Sequence, residues 1–201
     1  LVPMKIRLFT LLAILAFTSA CSSMIGAGRD EPVPDNEADR SWGRMMDDEA
    51  IETKALVNIR KADKQLEEAH LVVVSFNGIV LLAGQVPTAE LKELAYTTLG
   101  EIRYIKRIHN ELTIEPNIGF TKRSNDTWIT TRIKSKMLFS SVVDPSAVKV
   151  VTEEGVVYLM GLVDQKTADA AVDMARNTGG VQKVVRIFEY IDPAPASRTS
   201  S

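Results

Sequence analysis

Beyond residue 46 the apolar positions fall into two alternating rhythms. Ile51, Ala55 and Ile59 recur every four residues, and so do Ile129, Ile133 and Met137. That spacing lays each set along one face of a helix. LVVVSF (71–76) and IVLLAG (79–84) are β-branched, apolar runs flanking Asn77-Gly78, a pair that favours a two-residue hairpin turn. A second helix is predicted over 88–100, with Leu91, Leu94, Ala95, Thr98 and Leu99 as its buried stripe. Gly100 is expected to end it as a left-handed cap. The next stretch alternates like a strand. Ile108, Asn110, Leu112 and Ile114 point one way; His109, Glu111 and Thr113 point to a face expected to be exposed.

The order helix-strand-strand-helix-strand then occurs again. LVVVSFNGIVLLAGQV (71–86) aligns with AVKVVTEEGVVYLMGLV (147–163), with Gly78 over Gly155 and Gly84 over Gly161, both offset by 77. TAELKELAYTTLG (88–100) aligns with KTADAAVDMARNTGG (166–180), and IKRIHNELTI (105–114) with VQKVVRIFEY (181–190). The predicted fold class is α+β: two tandem α-β-β-α-β units, each a small three-stranded sheet packed with two helices. The expected boundaries are 47–116 and 125–192, with a short linker at 117–124. Asp47 or Asp48, and Asp126 or Thr127, are predicted to cap the first helix of each unit, where acids suit unpaired N–H groups and the helix dipole. A unit this small has a modest core, so the two are expected to pack together.

The ends carry different signals. Lys5 and Arg7 precede the 10-residue apolar run Leu8–Phe17 and the small residues Thr18, Ser19 and Ala20. This pattern is that of an exported leader, expected over residues 1–20 from a start at Met4, and the run is too short to cross a bilayer. Cys21, the single cysteine, follows at once. It is either a free thiol or, since TSAC resembles a lipobox, an acylated N-terminus with Ser22 directing export to the outer membrane. Residues 21–46, with Pro32 and Pro34, then read as the lipidated cysteine and a flexible tether. PAPASRTSS (193–201) reads as a disordered tail. Without Lys5 and Arg7 the net charge moves from −2 to −4, which speaks against nucleic acid as a partner.

The α-β-β-α-β unit, with hairpins ending in Val80-Leu81-Leu82-Ala83-Gly84 and Val157-Tyr158-Leu159-Met160-Gly161, resembles the BON domain. The resemblance covers nearly all of the chain beyond the tether. It is densest in SNDTWITTRIKSKML (124–138) and GVVYLMGLV (155–163). Arg186 departs from it, standing where the first unit keeps Asn110. The resemblance implies a periplasm-facing, lipid-anchored, non-enzymatic outer-membrane protein with no cofactor. It also implies binding to anionic phospholipid of the phosphatidylglycerol kind, gathering at division sites, support of outer-membrane integrity and a link to the barrel-assembly machinery. Lipid contact is implied for the first helix of the second unit.

That helix is unusual on physical grounds too. Residues 122–139 carry five cations against Asp126, net +4, whereas residues 47–64 of the first unit are net −1. Trp128, Arg132, Ser135, Lys136 and Phe139 lie on a stripe beside the core-facing one. Ala50, Lys54 and Asn58 stand opposite Trp128, Arg132 and Lys136 in the first unit, so the fold itself does not call for a tryptophan there. Trp prefers membrane–water interfaces, and Lys and Arg are drawn to anionic leaflets. The candidate lipid-contact segment is Trp128, Ile129, Arg132, Ile133, Lys134, Ser135, Lys136, Met137, Leu138 and Phe139, with Lys134 toward its far side. Packing of Trp128 at the core edge or against the first unit is the other reading.

An enzyme is not expected. His70 and His109 sit in different elements, and the chain has no metal-ligand spacing, nucleophile elbow or phosphate loop. Asp47-Asp48 and Glu153-Glu154 read as a cap and a turn rather than an acid–base pair. The remaining alternative is a protein-interaction module that docks on an outer-membrane assembly complex, since Trp and Arg are enriched at such contacts.

Overall fold

The computed structural model describes residues 42–115 and 120–191, with the side chains of Trp42 and of 120–123 excepted. The leader, Cys21, most of the tether and the tail 193–201 lie outside the described residues. The first repeat contains α1 (Trp42–Ala62), a short α2 (Lys64–Glu68), β1 (His70–Phe76), β2 (Ile79–Val86), α3 (Ala89–Gly100) and β3 (Arg107–Ile114). The second contains α4 (Phe120–Leu138), β4 (Val148–Glu153), β5 (Val156–Val163), α5 (Gln165–Arg176) and β6 (Lys183–Tyr190). Each repeat forms a three-stranded sheet with the second strand in the centre. The hairpin strands pair antiparallel, and the third joins in parallel after its crossover helix. The fold is α+β with two repeated units, as the patterning predicts.

Each sheet has a helix face. Leu71, Val80, Leu82 and Leu112 meet Ile51, Ala55, Ile59, Leu91, Ala95 and Leu99 in the first core. Val148, Val150, Val157, Leu159 and Phe188 meet Ile129, Ile133, Met137, Ala168, Val172 and Ala175 in the second. The opposite faces pack on each other. Phe76, Ile79, Leu81 and Ala83 form one cluster with Tyr158, Met160 and Ile187. All eight residues of β2 are buried for this reason, and a strand covered on both faces has no polar side to alternate. Burying one such Leu or Met side chain contributes about 1.5–3 kcal/mol, which offsets the small size of each unit. Lys149 adds a cross-domain tie, with its Nζ 2.9 Å from Glu52 Oε1 and 2.8 Å from the Ser75 carbonyl. His70 Nε2 lies 3.2 Å from Glu153 Oε1, and Asn77 Nδ2 donates to Glu189 Oε2 at 2.6 Å.

Several expectations change. His109 and Glu111 are half-buried, because their side of β3 belongs to the face that meets the second domain. Helix α1 starts at Trp42 and α4 at Phe120, so both extend N-terminally of their predicted starts, into segments read as tether and linker. Asp48 and Asp126 therefore lie inside their helices rather than at caps, and serve another purpose described below. Leu94 is exposed. Gly100 is the last helical residue, followed by Glu101 in a right-handed conformation, so no left-handed cap forms there. Helix α2 was not predicted; Asp63 caps it by accepting from Gln65 N at 2.7 Å, and Leu66 anchors it in the core.

Candidate functional site

The apolar face of helix α4 packs on its sheet. Ile129, Ile133 and Met137 are essentially inaccessible, at 0%, 0% and 1% exposure. Candidate contact residues by sequence, these three are core residues and cannot reach a surface partner while the domain is folded. The correction follows from the four-residue spacing that makes them one face of the helix. Near the N-terminal end, the buried Asp126 carboxylate accepts hydrogen bonds from Glu154 N and Gly155 N, both at 2.9 Å. The helix is thereby clamped to the β4–β5 turn.

The outer stripe remains open. Trp128 is 51% exposed, Leu138 67% and Phe139 87%, with Val142 at 39% just beyond. The Arg132 guanidinium carbon stands 4.5 Å from the centre of the Trp128 ring, a cation–π geometry that orients both groups. Trp128 thus packs on Arg132 and retains half its surface. Ser135 is exposed, and its hydroxyl donates to the Thr131 carbonyl within the helix at 2.9 Å. The loop after α4 is closed by its own side chains. Ser140 Oγ accepts from Val142 N and Val143 N, and Asp144 accepts from Ser146 N and Oγ. Those bonds hold the Asp144 carboxyl below the usual carboxylate range. Leu138 ends α4 and Phe139 begins the braced loop that follows it.

The three cations of this segment separate. Arg132 is on the open stripe. Lys136 turns inward, where its Nζ donates to the carbonyls of Met174 (3.2 Å) and Asn177 (2.7 Å) and to Thr178 Oγ1 (2.7 Å). It caps the C-terminal end of α5, a position that favours a cation, and so is a structural residue. Lys134 is exposed but lines a hollow with His70, Thr130 and Glu153, away from Trp128. Ala50, Lys54 and Asn58, the counterparts in α1, are all exposed. Among the described residues, the open strip beside Trp128 is thus Trp128, Arg132, Ser135, Leu138 and Phe139, with apolar groups and the Arg132 guanidinium stacked on the Trp128 ring. Sequence spacing finds this stripe; it does not separate Lys136 from Arg132, because the acceptors of Lys136 come from α5, about 40 residues away.

Among the described residues no cluster of His, Cys, Asp and Glu is arranged to hold a metal ion, and no helix is long and apolar enough to cross a membrane.

Comparison with known proteins gives the lineage. The BON domain family model matches residues 47–116 and again 125–191. The outer membrane lipoprotein DolP of Haemophilus influenzae is 36% identical over 190 residues, covering 94% of this chain and 98% of that protein. The 21 kDa hemolysin of Actinobacillus pleuropneumoniae is 42% identical over 152 residues, 76% of this chain and 78% of its own. The osmotically-inducible protein Y of Escherichia coli is 30% identical over 145 residues, 71% and 72%. With two matched domains and a relative aligned along almost its whole length, this chain belongs to the BON-domain family, as a two-domain protein of the DolP type.

Proposed function

We propose that the second BON domain binds anionic phospholipid at the periplasmic surface of the outer membrane through the open face of α4, without catalysing a reaction. The observation that carries this reading is the half-exposed Trp128 under the Arg132 guanidinium, in a helix whose core face is already filled. An indole ring with its polar N–H suits the headgroup layer. Each Arg or Lys near an anionic leaflet contributes about 1 kcal/mol. Leu138 and Phe139 supply apolar tips for shallow insertion. Such a contact is weak alone. An acyl chain on Cys21 would hold the head near the bilayer and raise its effective concentration there. The anchor fixes residence, and the α4 face selects headgroup charge and orients the domains. Support of outer-membrane integrity and recruitment to division sites would follow from reading local lipid composition.

The test is co-flotation of residues 22–201, which keep both BON domains and lack Cys21 and any acyl group, with phosphatidylglycerol and with phosphatidylcholine vesicles. Binding to the anionic vesicles alone, weakened by salt and lost in Trp128→Ala, is the expected result. Equal flotation of wild type and Trp128→Ala would overturn it. Docking of the same face on the barrel-assembly machinery is the competing reading, and it predicts an association that persists without lipid.

A further inference from the structure

The internal duplication exposes a second feature that the fold does not require. From the end of α3 to the first residue of β3 the chain runs Glu101-Ile102-Arg103-Tyr104-Ile105-Lys106-Arg107. From the end of α5 to the first residue of β6 it runs Asn177-Thr178-Gly179-Gly180-Val181-Gln182-Lys183. The two loops close identically: Lys106 N donates to the Gly78 carbonyl at 2.8 Å, and Gln182 N donates to the Gly155 carbonyl at 2.8 Å. Tyr104 and Gly180 therefore occupy the same position. Both adopt a left-handed backbone, φ 72° and 93°. The second domain meets that demand with glycine, which tolerates it freely. The first places a bulky aromatic there, a combination that is strained and uncommon.

The ring gains nothing from the fold in exchange, since Tyr104 is 77% exposed. Its neighbours Arg103, Lys106 and Arg107 are exposed as well. Among the described residues none of these three cations has an acidic partner within 4 Å. A strained tyrosine held out among three unpaired cations combines the two groups drawn to an anionic membrane surface. The loop also lies toward the same end of the molecule as the segment that follows α4. Arg44 lines one hollow together with Tyr104 and Lys106, and a second together with Val142 and Asp144. Tyr104 and the Val142–Asp144 segment thus lie toward one end of the two-domain body.

We propose that the Arg103–Arg107 loop is a second anionic-phospholipid contact, built into the first domain, so that both domains touch the same leaflet. The inference rests on the reading of α4 as a lipid face, and it extends the footprint from one domain to two. A two-point contact fixes the rotation of the body on the membrane, which one helix face cannot do.

The experiment uses residues 22–201 in flotation with phosphatidylglycerol vesicles at several salt concentrations. Tyr104→Gly copies the second domain, so it keeps the loop geometry and relieves strain. Its thermal midpoint should equal or exceed that of wild type, while its vesicle affinity falls by about fivefold. Neutralising Arg103, Lys106 and Arg107 to Gln should lower affinity further and flatten the salt dependence. Trp128→Ala is run alongside. Full binding by Tyr104→Gly with loss in Trp128→Ala overturns the loop and leaves α4 standing. Loss in Tyr104→Gly with full binding in Trp128→Ala removes α4 and overturns the two-domain footprint, leaving the loop as a contact by itself. No binding of wild type to anionic vesicles overturns both.

Discussion

The Asp126 carboxylate inside α4 accepts the backbone N–H of Gly155 at 2.9 Å, across 29 positions of sequence. Its second oxygen takes Glu154 N. The first domain repeats the arrangement: Asp48 takes Asn77 N at 2.9 Å and Gly78 N at 3.0 Å, with the Ser75 hydroxyl added at 2.6 Å. Both turns have two consecutive residues with positive φ, Asn77 and Gly78, and Glu154 and Gly155. In that geometry the turn N–H groups point at the helix, and a buried carboxylate satisfies them.

Removing the acceptor strands one buried and one partly buried donor, each formerly in a charge-assisted bond. Asp126→Ala is expected to destabilise by about 2–4 kcal/mol, read as a shift in the urea midpoint. Asp126→Asn keeps one acceptor oxygen and should lose less. Equal losses for the two variants would mean that side-chain volume, not hydrogen bonding, decides. The same pair at Asp48 should behave alike, because the geometry is shared.

Gly84 and Gly161 close the hairpins by close backbone approach. A Cβ on Gly84 would stand 2.0 Å from the His70 carbonyl oxygen, and one on Gly161 would stand 2.4 Å from that of Ala147. Gly84 also has φ +117°. Gly84→Ala should therefore cost about 3 kcal/mol or more, and Gly161→Ala about 1–3 kcal/mol. Thermal melts of both variants check this. A Gly84→Ala protein as stable as wild type would show that β1 can move aside.

Much of this architecture was legible in the sequence, because it is written in local patterns. The four-residue spacing gave the core faces of α1 and α4, and Asn77-Gly78 gave the first hairpin. The duplication carried weak signals: Glu154-Gly155 reads as a turn chiefly because it aligns with Asn77-Gly78. What could not be read locally was contact between distant segments. Asp48 and Asp126 looked like caps, since their turn partners lie about 30 residues on. Lys136 looked like a surface cation for the same reason. One missed signal was present: IVLLAGQV and VVYLMGLV are continuous apolar runs, not alternating ones, which marks strands covered on both faces. That continuity already implied sheet-on-sheet packing and a buried side for His109.

Lys136 and Arg132 should separate stability from membrane contact. Lys136→Met removes three donors from the end of α5 and should cost about 1–2 kcal/mol, with vesicle affinity within about twofold of wild type once folded. Arg132→Met should leave stability within about 0.5–1 kcal/mol, the scale of an exposed cation–π pair, and weaken vesicle binding. Denaturant curves and flotation on the same two proteins test both halves. The reverse pattern would reassign the contact to Lys136 and its side of the helix.

His109 makes the domain interface sensitive to acid. Its Nε2 is buried without a hydrogen-bond partner. Burial, helped by the nearby Arg107 and opposed by Glu111, holds the imidazole below its usual value of 6.5. The folded protein thus keeps His109 neutral where the unfolded chain takes up a proton. Stability from this group is full above the unfolded value near 6.5, and it is lost as pH falls from there toward the depressed folded value. Unfolding free energy should drop between pH 7.5 and pH 5.5, a window above the range where Glu90, Asp144 and Asp169 titrate, since their folded values are lowered. His70, 3.2 Å from Glu153, is present in wild type and variant alike, so the difference between them isolates His109. His109→Leu should reduce the acid-side loss while preserving the apolar contact between the sheets. If wild type and His109→Leu lose stability in parallel over that window, the buried imidazole is not the acid-sensitive group.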